Sequence, residues 1–124
     1  MSIAAAPTAA ALVSEAQALV VQGWCQGTHA LDENGQPVPA WDSEARSWSM
    51  LGALLASWHR QHQETLDEDV VAHLADARAL GDATEALGEV LETASLERWN
   101  DDPARSRDEV LGAFDRLLQQ FEES

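Results

Sequence analysis

The chain has 124 residues, with 22 acidic side chains, seven arginines and no lysine, for a formal net charge of −15. Such a surface repels nucleic acid and anionic lipid and attracts basic partners, which excludes direct nucleic-acid binding and membrane association on electrostatic grounds. The 45% apolar content is that of an ordinary globular chain and the single cysteine excludes an internal disulfide, while no run approaches the roughly 18 apolar residues of a membrane span.

In chain order, residues 1–7 read as a flexible arm and 8–124 as one helical domain. The N-terminal stretch is small and apolar but lacks a basic region, and Glu15 soon interrupts it. It does not read as a signal peptide, so a cytoplasmic location is expected. Leu12, Ala16, Leu19 and Val20 recur at helical steps between Thr8 and Gln22, and Gly23 stands where a helix stop belongs. The stretch from Gly27 to Trp41 reads as a longer loop or a tiny hairpin, turned by Asp32-Glu33-Asn34-Gly35.

Asp42 is an expected N-cap for a second helix over 43–63, whose middle is apolar nearly all round and so reads as the buried central post. A third helix is expected from Asp67 to a break at Gly81, with Leu66, Val70, Leu74 and Ala77 inward. Asp82-Ala83-Thr84-Glu85 matches a capping box. It would start a fourth helix that buries Leu87, Val90, Leu91 and Ala94 and turns Glu85, Glu89 and Glu92 outward. Ser106-Arg107-Asp108-Glu109 is a second capping box, followed by a last helix with Val110, Phe114, Leu117, Leu118 and Phe121 on one face. The expected fold is therefore all-α, a compact bundle of about five helices.

Three segments carry a family resemblance: Gly23-Trp24-Cys25-Gln26-Gly27 with Asp32, Gly35 and Pro37-Val38; Trp48 with Gly52-Ala53-Leu54; and Trp99-Asn100-Asp101 with Pro103, Arg105 and Glu109-Val110. Together they resemble a family of small bacterial and phage proteins of unknown function, over most of residues 20–118. In such proteins a cysteine often follows the tryptophan of the second segment. Here that position is Ser49, so a role needing a thiol pair is not implied. The resemblance implies a fold and a focus on these positions, without an activity.

Four groups of residues bear chemistry. Trp99-Asn100-Asp101-Asp102-Pro103-Ala104-Arg105 reads either as a latch between helices or as a polar pocket floor. In the second reading Asn100, Asp101 and Arg105, with Trp24, Trp48 and Trp99 around them, hold a small ligand. Cys25 with His29 is a thiol–imidazole pair on paper, which Asn100 would orient. The plain alternative is a buried structural cysteine, since Cys25 follows a helix C-terminus where the dipole disfavours a thiolate. His59 and His62 sit three apart, a spacing that can present two imidazoles to a metal with Glu64 or Asp67, or simply favour a helix C-terminus. His73 reads as a core-edge residue.

The fourth group is the acidic C-terminal half. Residues 1–63 hold five acids and two arginines (−3), and residues 64–124 hold seventeen acids and five arginines (−12). Glu85, Glu89 and Glu92 stand about 6 Å apart along a helix, comparable with the phosphate spacing of a nucleic-acid strand. Asp67, Glu68, Asp69, Asp76, Asp82, Glu97, Asp101 and Asp102 extend the pattern, as either a solvated face or a docking surface. The expected function is a non-catalytic interaction or regulatory protein that docks on a basic partner, at the limit a phage-type inhibitor or nucleic-acid mimic. A small-molecule binder at the Trp99–Arg105 turn and a Cys25/His29 hydrolase are the alternatives. No motif calls for a cofactor, and the oligomeric state is not encoded in any feature of the sequence.

Overall fold

A computed structural model of the chain describes residues 8–63 and 70–123, with side chains described for 8–61 and 78–122. The expected arm over 1–7 lies outside the described residues, as do the side chains of Leu66, Val70, Leu74 and Ala77. The described residues form five helices and a two-stranded sheet: α1 (Ala9–Gln22), β1 (Ala30–Leu31), β2 (Ser47–Trp48), α2 (Met50–Gln63), α3 (Val70–Leu91), α4 (Leu96–Asp101) and α5 (Arg107–Glu123). The architecture is all-α, as its sequence predicts.

Helix α1 forms where local signals agree. The Thr8 side chain accepts from the Ala11 amide at 3.1 Å, and the Gly23 amide donates to the Leu19 carbonyl at 3.1 Å. Its apolar stripe of Leu12, Val13, Ala16, Leu19 and Val20 is fully buried against α2, α3 and α5. Helix α5 starts on the expected capping box: the Ser106 hydroxyl accepts from the Glu109 amide at 3.2 Å, and Glu109 Oε1 accepts from the Ser106 amide at 3.0 Å. Val110, Ala113, Phe114 and Leu117 close the core from that side, each large side chain contributing about 1.5–3 kcal/mol by its burial.

Helix α2 corrects the expected span of 43–63. Asp42 closes a turn instead, its Oδ1 accepting from the Glu44 amide at 2.7 Å. The chain then extends through β2, which pairs antiparallel with β1 in the register Ala30 to Trp48 and Leu31 to Ser47. Trp48 also bridges Trp24, and Leu31 bridges Pro37, so the small turn at Asp32–Gly35 exists but its main strand partner lies beyond it. The true N-cap is Ser49, whose Oγ accepts from the Gly52 amide at 2.9 Å. Gly52 is required there, because a Cβ would strike the His29 carbonyl. Ser57, wholly buried, donates from its hydroxyl to the Leu12 carbonyl at 2.9 Å and ties α2 to α1. The core thus draws alike on α1, α2 and α5, with α1 packed against α2, α3 and α5, and does not rest on α2 alone.

Helix α3 corrects a second expectation. It runs unbroken through Gly81 to Leu91, so Asp82–Glu85 is helix interior and not a start. Gly81 is tolerated because an interior glycine costs only about 1 kcal/mol, less than the burial of Ala79, Ala83 and Leu87 on the inner face returns. Ala94 lies beyond the helix and is exposed. The short α4 has no counterpart among the expected helices: Ser95 caps it by accepting from the Arg98 amide at 3.2 Å.

Candidate functional site

Asn100 sits at the centre of the described contacts between the chain's two halves. It is 0% exposed, and its amide is bonded on every side. Oδ1 accepts from Trp24 Nε1 at 2.7 Å and from the Met50 amide at 3.0 Å. Nδ2 donates to the Cys25 carbonyl at 3.1 Å and to Asp101 Oδ1 at 3.0 Å. Four bonds fill the capacity of a carboxamide. Gln26, in the segment after α1, extends the latch, donating through Nε2 to the Asn100 and Asp102 carbonyls, both at 2.8 Å. The Gly27 amide donates to Asp101 Oδ1 at 3.0 Å. Arg105 lies 3.7 Å over the Trp99 ring, donates through Nε to the Trp99 carbonyl at 2.9 Å and pairs with Glu109 at 3.1 Å. Trp48 meets this cluster only through its backbone, which accepts from the Cys25 amide at 3.2 Å, while its Nε1 donates to the Ala40 carbonyl at 3.0 Å.

The structure therefore brings Trp24, Asn100, Asp101, Trp99 and Arg105 together, mainly by bonding them to one another. Beside Asp101 lies a hollow of about 190 Å³ lined by Gly27, Thr28, His29, Ser49 and Glu97. That is smaller than the roughly 300–1,000 Å³ usual for small-molecule sites.

Cys25 is buried and its sulfur donates weakly to the Thr28 carbonyl at 3.7 Å. Burial raises its pKa, the Asp101 charge adds to the rise, and a hydrogen bond with Ser47 opposes it. The thiol stays protonated near neutrality. His29 approaches Glu97, with Nε2 to Oε1 at 3.9 Å, and the Asn100 amide is bonded elsewhere, so no Cys–His–Asn arrangement forms among the described residues. His59 stacks on Trp41, ring centroids 5.5 Å apart. The side chains of His62 and His73, together with Glu64 and Asp67, lie outside the described residues. Among the described residues no three histidine, cysteine or carboxylate groups converge on a metal position.

The acidic residues do converge. Glu85, Glu89 and Glu92 line one groove of about 870 Å³ with Glu97, over a floor that includes Leu51 and Leu96. All four glutamates are exposed and the lining holds no cationic residue. Leu51 comes from α2, and only the fold brings it beneath α3. Glu92 sits at the left-handed position that ends α3, with φ 54°. The Thr93 amide donates to the Gly88 carbonyl at 2.9 Å and the Glu92 amide to the Glu89 carbonyl at 3.2 Å. This helix-ending pattern favours glycine, and a side chain there costs about 1–2 kcal/mol.

The profile of a protein family described as "Family of unknown function (DUF6197)" matches residues 4–120. The chain belongs to that family. The match takes in the Asn100 latch and the acidic groove alike. No curated protein and no solved structure matches the chain significantly. No helix among the described residues is long and apolar enough to cross a membrane.

Proposed function

We propose that this protein is a non-catalytic interaction protein that docks a basic segment of a partner protein in the groove between α3 and the 93–97 turn. The observation that carries the reading is the composition of that groove: four exposed glutamates around an apolar floor, with no cation among them. Carboxylates at the rim steer and orient a cationic partner, while an apolar floor supplies area to bury. Glu92 supports the reading, because a glycine at φ 54° would serve the fold better. The −12 charge of residues 64–124 adds a long-range field that speeds encounter with a basic surface. In this reading the partner is met in the cytoplasm. A basic surface that otherwise binds nucleic acid is the natural extreme, the protein then acting as an inhibitor of the phage type.

The test begins with native mass spectrometry of the protein isolated gently at low salt, which identifies a bound basic protein. The affinity of that pair is then measured from about 0.05 to about 0.5 M salt. Glu85→Gln/Glu89→Gln/Glu92→Gln is expected to weaken binding roughly tenfold or more, and Glu33→Gln/Glu44→Gln/Glu122→Gln, with the same net charge, less than about threefold. Equal losses in the two triple variants, or affinity that ignores salt, would overturn the groove reading.

A further inference from the structure

Another hollow gathers more positive than negative side chains. The only two arginines of residues 1–63, Arg46 and Arg60, both line one cavity of about 460 Å³ with Trp41, Trp48 and His59. That volume falls within the roughly 300–1,000 Å³ of small-molecule sites. Its two edges differ in chemistry, and each is fixed in place by the chain.

The aromatic edge is Trp41, 53% exposed even though its ring stacks on His59 with an interplanar angle of 18°. An indole so held is a flat platform presented to solvent, with no hydrogen bond to its Nε1 among the described residues. The cationic edge is Arg46. Its Nη1 donates to the Ser43 and Ala45 carbonyls at 2.9 and 3.0 Å, which holds the guanidinium while Nε and Nη2 keep no partner among the described residues. Those two nitrogens share the edge of a guanidinium that grips two oxygens of one phosphate or carboxylate. Asp42 also lines the cavity, but its Oδ1 accepts from the Glu44 amide at 2.7 Å and no ion pair joins it to Arg46 among the described residues. Arg60 reaches Glu15 only at 3.4 Å, with half of its side chain exposed. A platform and a pre-fixed fork on one cavity lower the entropy cost of binding.

We propose that this cavity binds a small aromatic acid, a planar ring joined to one phosphate or carboxylate group. The ring stacks at Trp41 and the anionic group is held by Arg46 with Arg60. In a chain of −15, such a site selects compact anions whose charge lies at one end, because a longer polyanion meets the surrounding carboxylates. The site is separate from the acidic groove and stands or falls independently of the docking reading.

The test is a titration of the full chain with adenosine 5′-monophosphate, indole-3-acetate, inorganic phosphate and adenosine, followed by calorimetry and by ¹H–¹⁵N spectra. The five tryptophans give five indole signals, and Trp41→Leu assigns one of them. At least one of the two ring acids is expected to bind saturably below about 1 mM and to shift the Trp41 indole signal, with phosphate alone and adenosine alone about tenfold weaker or more. Arg46→Gln and Trp41→Leu, both on exposed side chains, are each expected to weaken that binding roughly tenfold. Preference for the nucleotide assigns a phosphate ligand, and preference for indole-3-acetate assigns a carboxylate. If neither ring acid saturates, if binding leaves the Trp41 signal in place, or if both variants bind as well as the parent chain, the proposal is overturned.

Discussion

Asn100 joins three parts of the chain through one side chain: the segment after α1, the start of α2 and the end of α4. Asn100→Ala leaves the Trp24 indole N–H, the Met50 amide and the Cys25 carbonyl without their partner in a site that is closed to water. A loss of about 3 kcal/mol is expected, since each buried unpaired group costs about 1–3 kcal/mol. It reads as a lowered urea midpoint at unchanged slope, and an unchanged midpoint would show that the latch holds nothing. Cys25 offers a cleaner residue-scale test, because the chain has no lysine and no tyrosine. Apart from the amino terminus, its thiol is then the one group titrating in the mildly alkaline range. Burial raises the folded thiol's pKa above the ordinary 9.0. The unfolded chain therefore loses its proton first, and stability that is whole below pH 9 falls as pH rises toward the folded value. Cys25→Ala is expected to flatten that fall. An alkaline stability curve identical in the two proteins would mean that the thiol is not desolvated.

At the scale of elements, the ends of α1 and α5 were legible because their signals are local: Thr8 and Gly23 for one, Ser106 and Glu109 for the other. The start of α2 was not. Asp42 suits an N-cap and a turn equally well, and the choice was made by Trp48, which pairs with Ala30 and bridges Trp24. Those partners are distant in sequence. The break expected at Gly81 failed for a different reason. A glycine signals a helix end only weakly, and the buried stripe of Ala79, Ala83 and Leu87 outweighs it. This makes α3 a place to gain stability. A Cβ at Gly81 meets nothing within 4 Å, so Gly81→Ala is expected to stabilise the fold by about 0.5–1 kcal/mol. Gly52→Ala, in contrast, drives a Cβ into the His29 carbonyl and is expected to destabilise it. Thermal unfolding of the pair checks both signs, and a melting point lowered by Gly81→Ala would mean that α3 is not continuous there.

For the whole molecule, the charge was readable from the sequence, but its arrangement was not. Composition gave the excess of acid, and helical spacing aligned Glu85, Glu89 and Glu92; the fold alone adds Leu51 beneath them and draws Arg46 and Arg60 to one cavity. The same separation has a consequence for stability. The described ion pairs are few, Arg60 with Glu15 and Arg105 with Asp102 and Glu109 among them, and each has at least one partner about half exposed, where pairs contribute little. Repulsion among the remaining carboxylates opposes the compact state, and it is screened as the Debye length falls from about 30 Å at 0.01 M salt to about 10 Å at 0.1 M. Sodium chloride is therefore expected to raise the melting temperature by several degrees over that range, while it weakens the groove's hold on a basic partner. Glu85→Gln/Glu89→Gln/Glu92→Gln should reduce both responses, because it removes three neighbouring charges of one sign. A melting temperature that falls with salt would place net attraction, not repulsion, in the folded chain, and the acidic face would then be a structural ion-pair network instead of a surface awaiting a cation.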